Sequence, residues 1–155
     1  MPSKQTLSVV IHNVRSAHNV GAIFRTADAV GVEKIYLGGY SPTPIEPRVG
    51  KTALGAEQTV PWEQYKQTWL LLKKLRQRGI EVIALEQTPQ SKNIFTYRPR
   101  RSIALLVGHE RKGLSSSILQ YTDTVLAIPM YGKKESLNVS VATGIALYQL
   151  KNGLT

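Results

Sequence analysis

The sequence predicts an α/β protein: a parallel sheet with helices covering both faces. Short apolar runs alternate with helix-length segments along the chain, as strands joined by crossover helices do. Three of those runs end in a glycine-containing or polar turn that leads into a helix bearing charged or amide side chains in its first turns. The 155 residues, 42% of them hydrophobic, suffice for one domain with a real core and leave little room for a second.

Taken in order, Met1 to Thr6 lead directly into a first strand over Ser8 to Val14. The polar stretch after it opens a helix over Asn19 to Gly31, and a second strand follows at Lys34 to Gly38. Tyr40 to Pro61, with Pro42, Pro44, Pro47 and Gly50, has no hydrophobic periodicity and is expected to be a long loop. From Trp62 to Arg78 the apolar residues Trp62, Tyr65, Trp69, Leu72 and Leu75 share one side, with Lys and Arg opposite. That spacing predicts a structural helix ended by Gly79. Strands are expected at Glu81 to Leu85, Ile103 to Val107 and Thr124 to Ile128. Gly132 then permits a backbone geometry that a Cβ would resist. Val139, Ala142, Thr143, Ala146 and Leu147 recur at helical spacing, so Ser136 to Asn138 fall at a helix N-terminus. There they either cap the helix or serve a ligand, since free N–H groups and the dipole favour anions and capping oxygens alike.

Composition narrows the function. Twenty Lys and Arg against ten Asp and Glu leave a net charge of +10, which suits a polyanion or a solubilising surface. The cations gather at Lys73, Lys74, Arg76 and Arg78; at Arg98, Arg100 and Arg101; at Arg111 and Lys112; and at Lys133 and Lys134. The last two groups lie inside the glycine-bearing turns, which would draw a phosphate backbone to the sheet edge where open α/β folds bind ligands. Aromatic residues are only 7% and no RNP-like motif is present, so recognition is expected to rest on backbone, shape and a flipped or looped nucleotide. There is no cysteine, which removes disulfides, thiolate metal sites and a cysteine nucleophile. No His and carboxylate spacing suggests a metal. No apolar run approaches a membrane span, the N-terminus lacks a signal peptide's apolar core, and a cytoplasmic setting is compatible. No Gly-x-Gly-x-x-Gly follows the first strand, which disfavours a dinucleotide.

Three motifs stand in order. Asn19 is followed six residues later by Arg25 within NVGAIFRTA; Gly108, Glu110 and Gly113 form a Gly-x-Glu-x-x-Gly turn after a strand; and Ile128, Pro129 and Met130 precede Ser136, Leu137, Asn138, Val139 and Ser140. On these residues the chain resembles the SPOUT superfamily of methyltransferases, in the TrmH (SpoU) branch of RNA ribose 2′-O-methyltransferases, over nearly its whole length. Many relatives resemble a catalytic domain with a small RNA-binding domain in front. This chain is expected to be the minimal form, one catalytic domain over residues 1–155.

The resemblance implies a C-terminal trefoil knot, an exception to the rule against knotted connections. It places bent S-adenosyl-L-methionine among the turns at Leu85 to Gln87, Gly108 to Gly113 and Ile128 to Asn138. The implied cofactor residues are Leu85, Glu86, Gly108, Ile128, Met130, Ser136 and Leu137, several of which suit an apolar adenine slot. The implied catalytic set is Arg25, Asn19, Glu110, Ser136 and Asn138. Arg25 is proposed in the family to act on the 2′-hydroxyl. A guanidinium keeps its proton in water, so pinning phosphate and stabilising a developing alkoxide is its safer role. Asn19 and Asn138 would orient Arg25 or the ribose, Ser136 would bond the target or the cofactor, and Glu110 would hold Arg25 or touch RNA. The plainer alternatives are Asn19 as an N-cap and Glu110 as a surface ion pair.

RNA, transfer or ribosomal, is the implied partner, contacted by Arg25, Arg48, Lys51, Arg111, Lys112, Lys133 and Lys134. His12, His18 and His109 are not required as bases. A homodimer is implied, one subunit bringing its Arg25 to the other's pocket, with the seam on Asn19 to Gly31 and on Val139 to Lys151. Two rivals remain: methylation of a base nitrogen, for which neither Asp28 nor Asp123 lies in the right motif, and an RNA-binding role without catalysis.

Overall fold

The structure is a computed structural model and describes residues 4–155, so Met1 to Ser3 of the lead-in segment lie outside the described residues. The elements run β1 (Leu7–His12), α1 (Ala17–Val30), β2 (Lys34–Gly38), α2 (Pro47–Ala53), α3 (Ala56–Thr59), β3 (Trp62–Tyr65), α4 (Thr68–Gln77), β4 (Glu81–Leu85), β5 (Lys92–Asn93), a 3-10 turn (Ile94–Thr96), β6 (Ile103–Val107), α5 (Ser116–Leu119), β7 (Thr124–Ala127) and α6 (Val139–Gly153). Seven strands form one sheet in the order β3-β2-β1-β6-β4-β7-β5. Every pairing is parallel, as in Ser8 with Lys34, Leu7 with Ile103, and Ile83 with Thr124.

Alternation along the strands divides the core in two. Val9, Ile11, Ile35, Leu37, Ile83, Leu105 and Leu126 face α1, α2, α3 and α6, while Val10, Tyr36, Val82, Ala84, Ala104 and Leu106 face α4 and α5. Strands buried on both faces read as unbroken apolar runs, and IALLV of β6 is buried at every position. At the opposite end of the sheet from the site, buried Glu81 accepts hydrogen bonds from the hydroxyls of Tyr97 and Thr124. Burial together with the Glu81 carboxylate pushes the Tyr97 phenol up to about 12.

The sequence reading needs four corrections. Residues 40–61 are not one loop. Pro47 sits in the first turn of α2, Glu46 caps it by accepting from the Arg48 N–H at 3.3 Å, and α3 follows. Their buried residues are the small Val49, Ala53 and Ala56, too few and too scattered among prolines to show a period. The expected helix Trp62 to Arg78 divides: Trp62 and Tyr65 mimic helical spacing, but residues 62–65 pair with β2, and α4 starts only at Thr68. Tertiary pairing overrides propensity there. β1 stops at His12 because Asn13 takes φ 55 and donates its N–H to the Gly38 carbonyl. Gly132 has open space around it and no left-handed φ, so nothing in the backbone there demands glycine.

Gly21 is where glycine matters for packing. A Cβ on it would collide with the Thr52 hydroxyl and the Val49 carbonyl, so α2 can lie against α1 only on a bare backbone. Although alanine is the better helix former, Gly21→Ala is expected to lower unfolding stability by about 2 kcal/mol in denaturant melts. An unchanged or raised midpoint would contradict the close approach of these helices.

Candidate active site

The carboxyl ends of β4, β6 and β7 are neighbours, so the turns that follow them are brought to one edge of the sheet. They enclose a cleft of about 770 Å³, its open mouth included. Its apolar wall is Leu85, Val107, Ala127, Ile128, Met130, Leu137, Val139 and Ala142; its polar side is Glu86, Gln87, His109, Glu110, Arg111, Lys112 and Ser136. All seven residues expected to hold a cofactor line it: Leu85, Glu86, Gly108, Ile128, Met130, Ser136 and Leu137. An apolar wall beside a rim of charged and amide groups fits a ligand with an aromatic base and an ionic tail.

The turns are tied to one another by specific bonds. The Glu86 carboxylate accepts from the Gln87 N–H at 3.0 Å and from the Leu114 N–H at 2.7 Å, clamping the first turn to the second. Gly113, with φ 62, makes room for it, since a Cβ there would collide with that carboxylate. A Cβ on Gly108 would sit 2.6 Å from the Leu114 side chain. The Gln87 amide donates to the Ile128 carbonyl at 2.8 Å and joins the first turn to the third. Glu86 is thus a brace of the pocket wall. Gln87 was missed as a functional residue because nothing in its own sequence surroundings signals a bond to a carbonyl 41 positions away.

A second set of bonds reaches α1. Asn138 caps α6, its Oδ1 accepting from the N–H groups of Ser140 at 2.8 Å and Val141 at 3.2 Å. Its Nδ2 donates to Oδ1 of buried Asn19 at 3.2 Å. The Glu110 carboxylate accepts from the N–H of Ser16 at 3.0 Å and of Arg15 at 3.3 Å. Burial pushes the Glu110 carboxyl up. The N–H groups of Ser16, Glu110 itself and Arg15, with the Asn19 side chain, outweigh burial and hold it below the ordinary carboxylate value.

Several expected roles change. Ser16, whose hydroxyl accepts from the Asn19 N–H at 3.1 Å, caps α1, so Asn19 is not the cap. Within one chain Glu110 does not reach Arg25: it faces the start of α1, while Arg25 is exposed farther along that helix and outside the cleft. Arg48 pairs with Glu46 at 3.1 Å and Lys51 is exposed on α2; Lys133 and Lys134 are exposed in the third turn. His109 accepts from the N–H groups of Arg111 and Lys112 at its Nδ1, which shapes the turn. Burial pushes the His12 imidazole down, and its Nδ1 lies 2.6 Å from the Thr68 hydroxyl. Asp28 accepts from Thr59 and Asp123 is bound by Arg76 and the Val82 N–H, so neither aspartate serves the cleft. Among the described residues no cluster of His and carboxylates is poised for a metal and no helix is long and apolar enough to cross a membrane.

Comparison with known proteins decides the lineage. The model of the SpoU rRNA Methylase family matches residues 6–148, the stretch that contains all three turns. The chain belongs to the SpoU methylase family. It is 35% identical over 143 residues to the 23S rRNA (guanosine-2′-O-)-methyltransferase RlmB of Ralstonia nicotianae, covering 92% of this chain and 57% of that protein. An AdoMet-bound rRNA methyltransferase structure from Sinorhizobium meliloti matches with a TM-score of 0.88 at 29% identity, over 96% of this chain and 56% of that one. A structure described as giving insight into 2-OH methylation of C/U34 on tRNA matches with a TM-score of 0.81 at 28% identity, over 94% of this chain and 93% of that one. This family member thus spans about half the length of the curated relatives it matches first.

The Glu110 bonds set a pH dependence. With its folded carboxyl held below the ordinary value near 4.5, the ionised group stabilises the site fully above that value, and this contribution is lost as pH falls through the folded one. The melting-point gap between the native protein and Glu110→Gln is therefore expected to be open at pH 7 and to close as pH falls below the ordinary carboxylate value and through the lowered folded one. A gap that stays constant across that range would contradict the assignment.

Proposed function

We propose that the chain is an S-adenosyl-L-methionine-dependent methyltransferase acting on a ribose 2′-hydroxyl of tRNA or rRNA. The observation that carries this is the convergence of the turns after β4, β6 and β7, the last two bearing motifs, on one cleft with an apolar wall and a polar, charged rim. The AdoMet-bound relative and the 2′-O-methyltransferase names among the matches support it. When bound, the cofactor supplies a sulfonium methyl group for in-line transfer. The apolar wall of Leu85, Ile128, Met130 and Leu137 would hold its adenine, and the Gly108 and Ser136 turns its polar tail. The cleft thereby fixes the donor so that the oxygen, carbon and sulfur can align.

The hydroxyl must lose its proton as the new O–C bond forms and the C–S bond breaks; solvent at the open mouth can take it. Arg25 would pin the target's phosphate and stabilise the developing alkoxide. Its position supports a homodimer, because on its own chain Arg25 is exposed outside the cleft. On α6, Val141, Ile145 and Tyr148 are exposed at 50%, 36% and 56% and form an apolar stripe suited to a second copy. We place the seam on α1 and α6, with each Arg25 serving the partner's cleft. The trefoil knot belongs to the same reading; the position of β4 between the later strands β6 and β7 supports it. A cytoplasmic setting follows from an RNA substrate. Coverage of nearly the whole of the tRNA C/U34 methylation structure favours a tRNA loop over a ribosomal target.

Arg25→Ala is expected to abolish transfer of labelled methyl groups to unmodified tRNA while calorimetric S-adenosylmethionine binding and a particle mass of twice 17.2 kDa by light scattering persist. Full turnover in that variant, or an active monomer, would refute the shared-site mechanism.

A further inference from the structure

The turn His109 to Lys112 that walls the cofactor cleft also walls a second depression, whose other side is Tyr40 and the β1–α1 turn at Arg15. Tyr40 is exposed at 56%, yet its backbone N–H is bonded to a neighbouring strand end. Asn13 and Gly39, at the ends of the adjacent strands β1 and β2, both take left-handed geometry, with φ 55 and φ 62. The Asn13 Oδ1 accepts from the Tyr40 N–H at 3.1 Å, and a Cβ on Gly39 would collide with that oxygen. Gly39 donates its own N–H to the Tyr65 carbonyl at 3.0 Å. A non-glycine residue in this conformation costs free energy and persists where the surroundings enforce it. Here the result is an aromatic ring presented to solvent from a rigid stem.

The charges around that ring are unspent. Arg15, Arg111 and Lys112 are exposed, and none of their side chains joins an ion pair among the described residues. The carboxylate in the depression, Glu110, accepts from the N–H groups of Arg15 and Ser16. His109 directs its Nδ1 at backbone donors of its own turn. What faces outward is thus a flat π surface beside three cations, the combination that single-stranded nucleic acid uses, with a base on the ring and phosphate on the cations.

We propose that this depression is the subsite for an unpaired nucleotide next to the methylated one, its base stacked on Tyr40 and its phosphate met by Arg15, Arg111 and Lys112. The proposal rests on the RNA-methyltransferase reading and extends it: the substrate must offer two adjacent unstacked nucleotides, as a loop does and a duplex does not. Because one short turn separates the cofactor cleft from the subsite, the stacked base would set the register of the neighbouring ribose over the methyl donor.

The test uses the intact protein and a single-stranded decaribonucleotide with one central 2-aminopurine among uridines. The native protein is expected to quench the 2-aminopurine fluorescence. Tyr40→Ala should lose the quench and weaken binding about tenfold, while Tyr40→Phe keeps both. Arg15→Ala should weaken binding and lower the slope of log affinity against log salt by about one. Tyr40→Ala binding the probe as the native protein does, or Tyr40→Phe losing as much as Tyr40→Ala, overturns the subsite. So does loss of S-adenosylmethionine affinity in Tyr40→Ala, which would make Tyr40 a structural residue of the cleft. The enzymatic reading is judged separately, by cofactor calorimetry and methyl transfer with the native protein, and its failure leaves the probe result intact.

Discussion

The hydrogen bond from Asn138 to Asn19 joins residues 119 positions apart and is the contact on which the site's organisation depends. Asn138 simultaneously caps α6, so the start of the last helix, the first turns of α1 and the loop between β7 and α6 are fixed relative to one another. Glu110 completes the arrangement by bonding the N–H groups that precede α1. Among the described residues the buried side-chain polar atoms find partners, with Glu57 Oε1 the exception, as burial away from water favours. The geometry is stated in residues of all three motifs at once.

A parallel sheet provides the stage. Because β4, β6 and β7 point the same way and are neighbours, turns from distant parts of the sequence end at one edge without any long excursion. Glycine then permits closeness: Gly113 admits the Glu86 carboxylate, and Gly108 admits Leu114. The same edge, one turn away, carries the Tyr40 ring on its Asn13 and Gly39 support. The cleft and the aromatic depression therefore share a wall, the His109 to Lys112 turn.

What the sequence disclosed and what it withheld follow one rule. Apolar runs such as IALLV announce buried strands, and the motif residues announce turns, because both kinds of information are local. Ser136 and Asn138 were nameable as a helix start for that reason, while Asn19 and Glu110 were named through the family resemblance; only the fold shows that Glu110 serves the backbone before α1 and that Ser16 caps it. The helices within residues 40–61 were invisible because their buried faces are a few small side chains. Trp62 and Tyr65 misled because an edge strand with two aromatic residues three apart resembles a helix face. The roles of Glu86 and Gln87, and the mutual locking of Asn13 and Gly39, are products of long-range proximity that no window along the chain contains.

The central claim is that three turns form one binding unit for S-adenosylmethionine. Hydrogen–deuterium exchange on the intact protein, with and without saturating cofactor, tests it most directly. Amide protection is expected to rise together in residues 85–87, 108–114 and 128–138. Protection confined to one of these turns, or appearing only elsewhere in the chain, would contradict it.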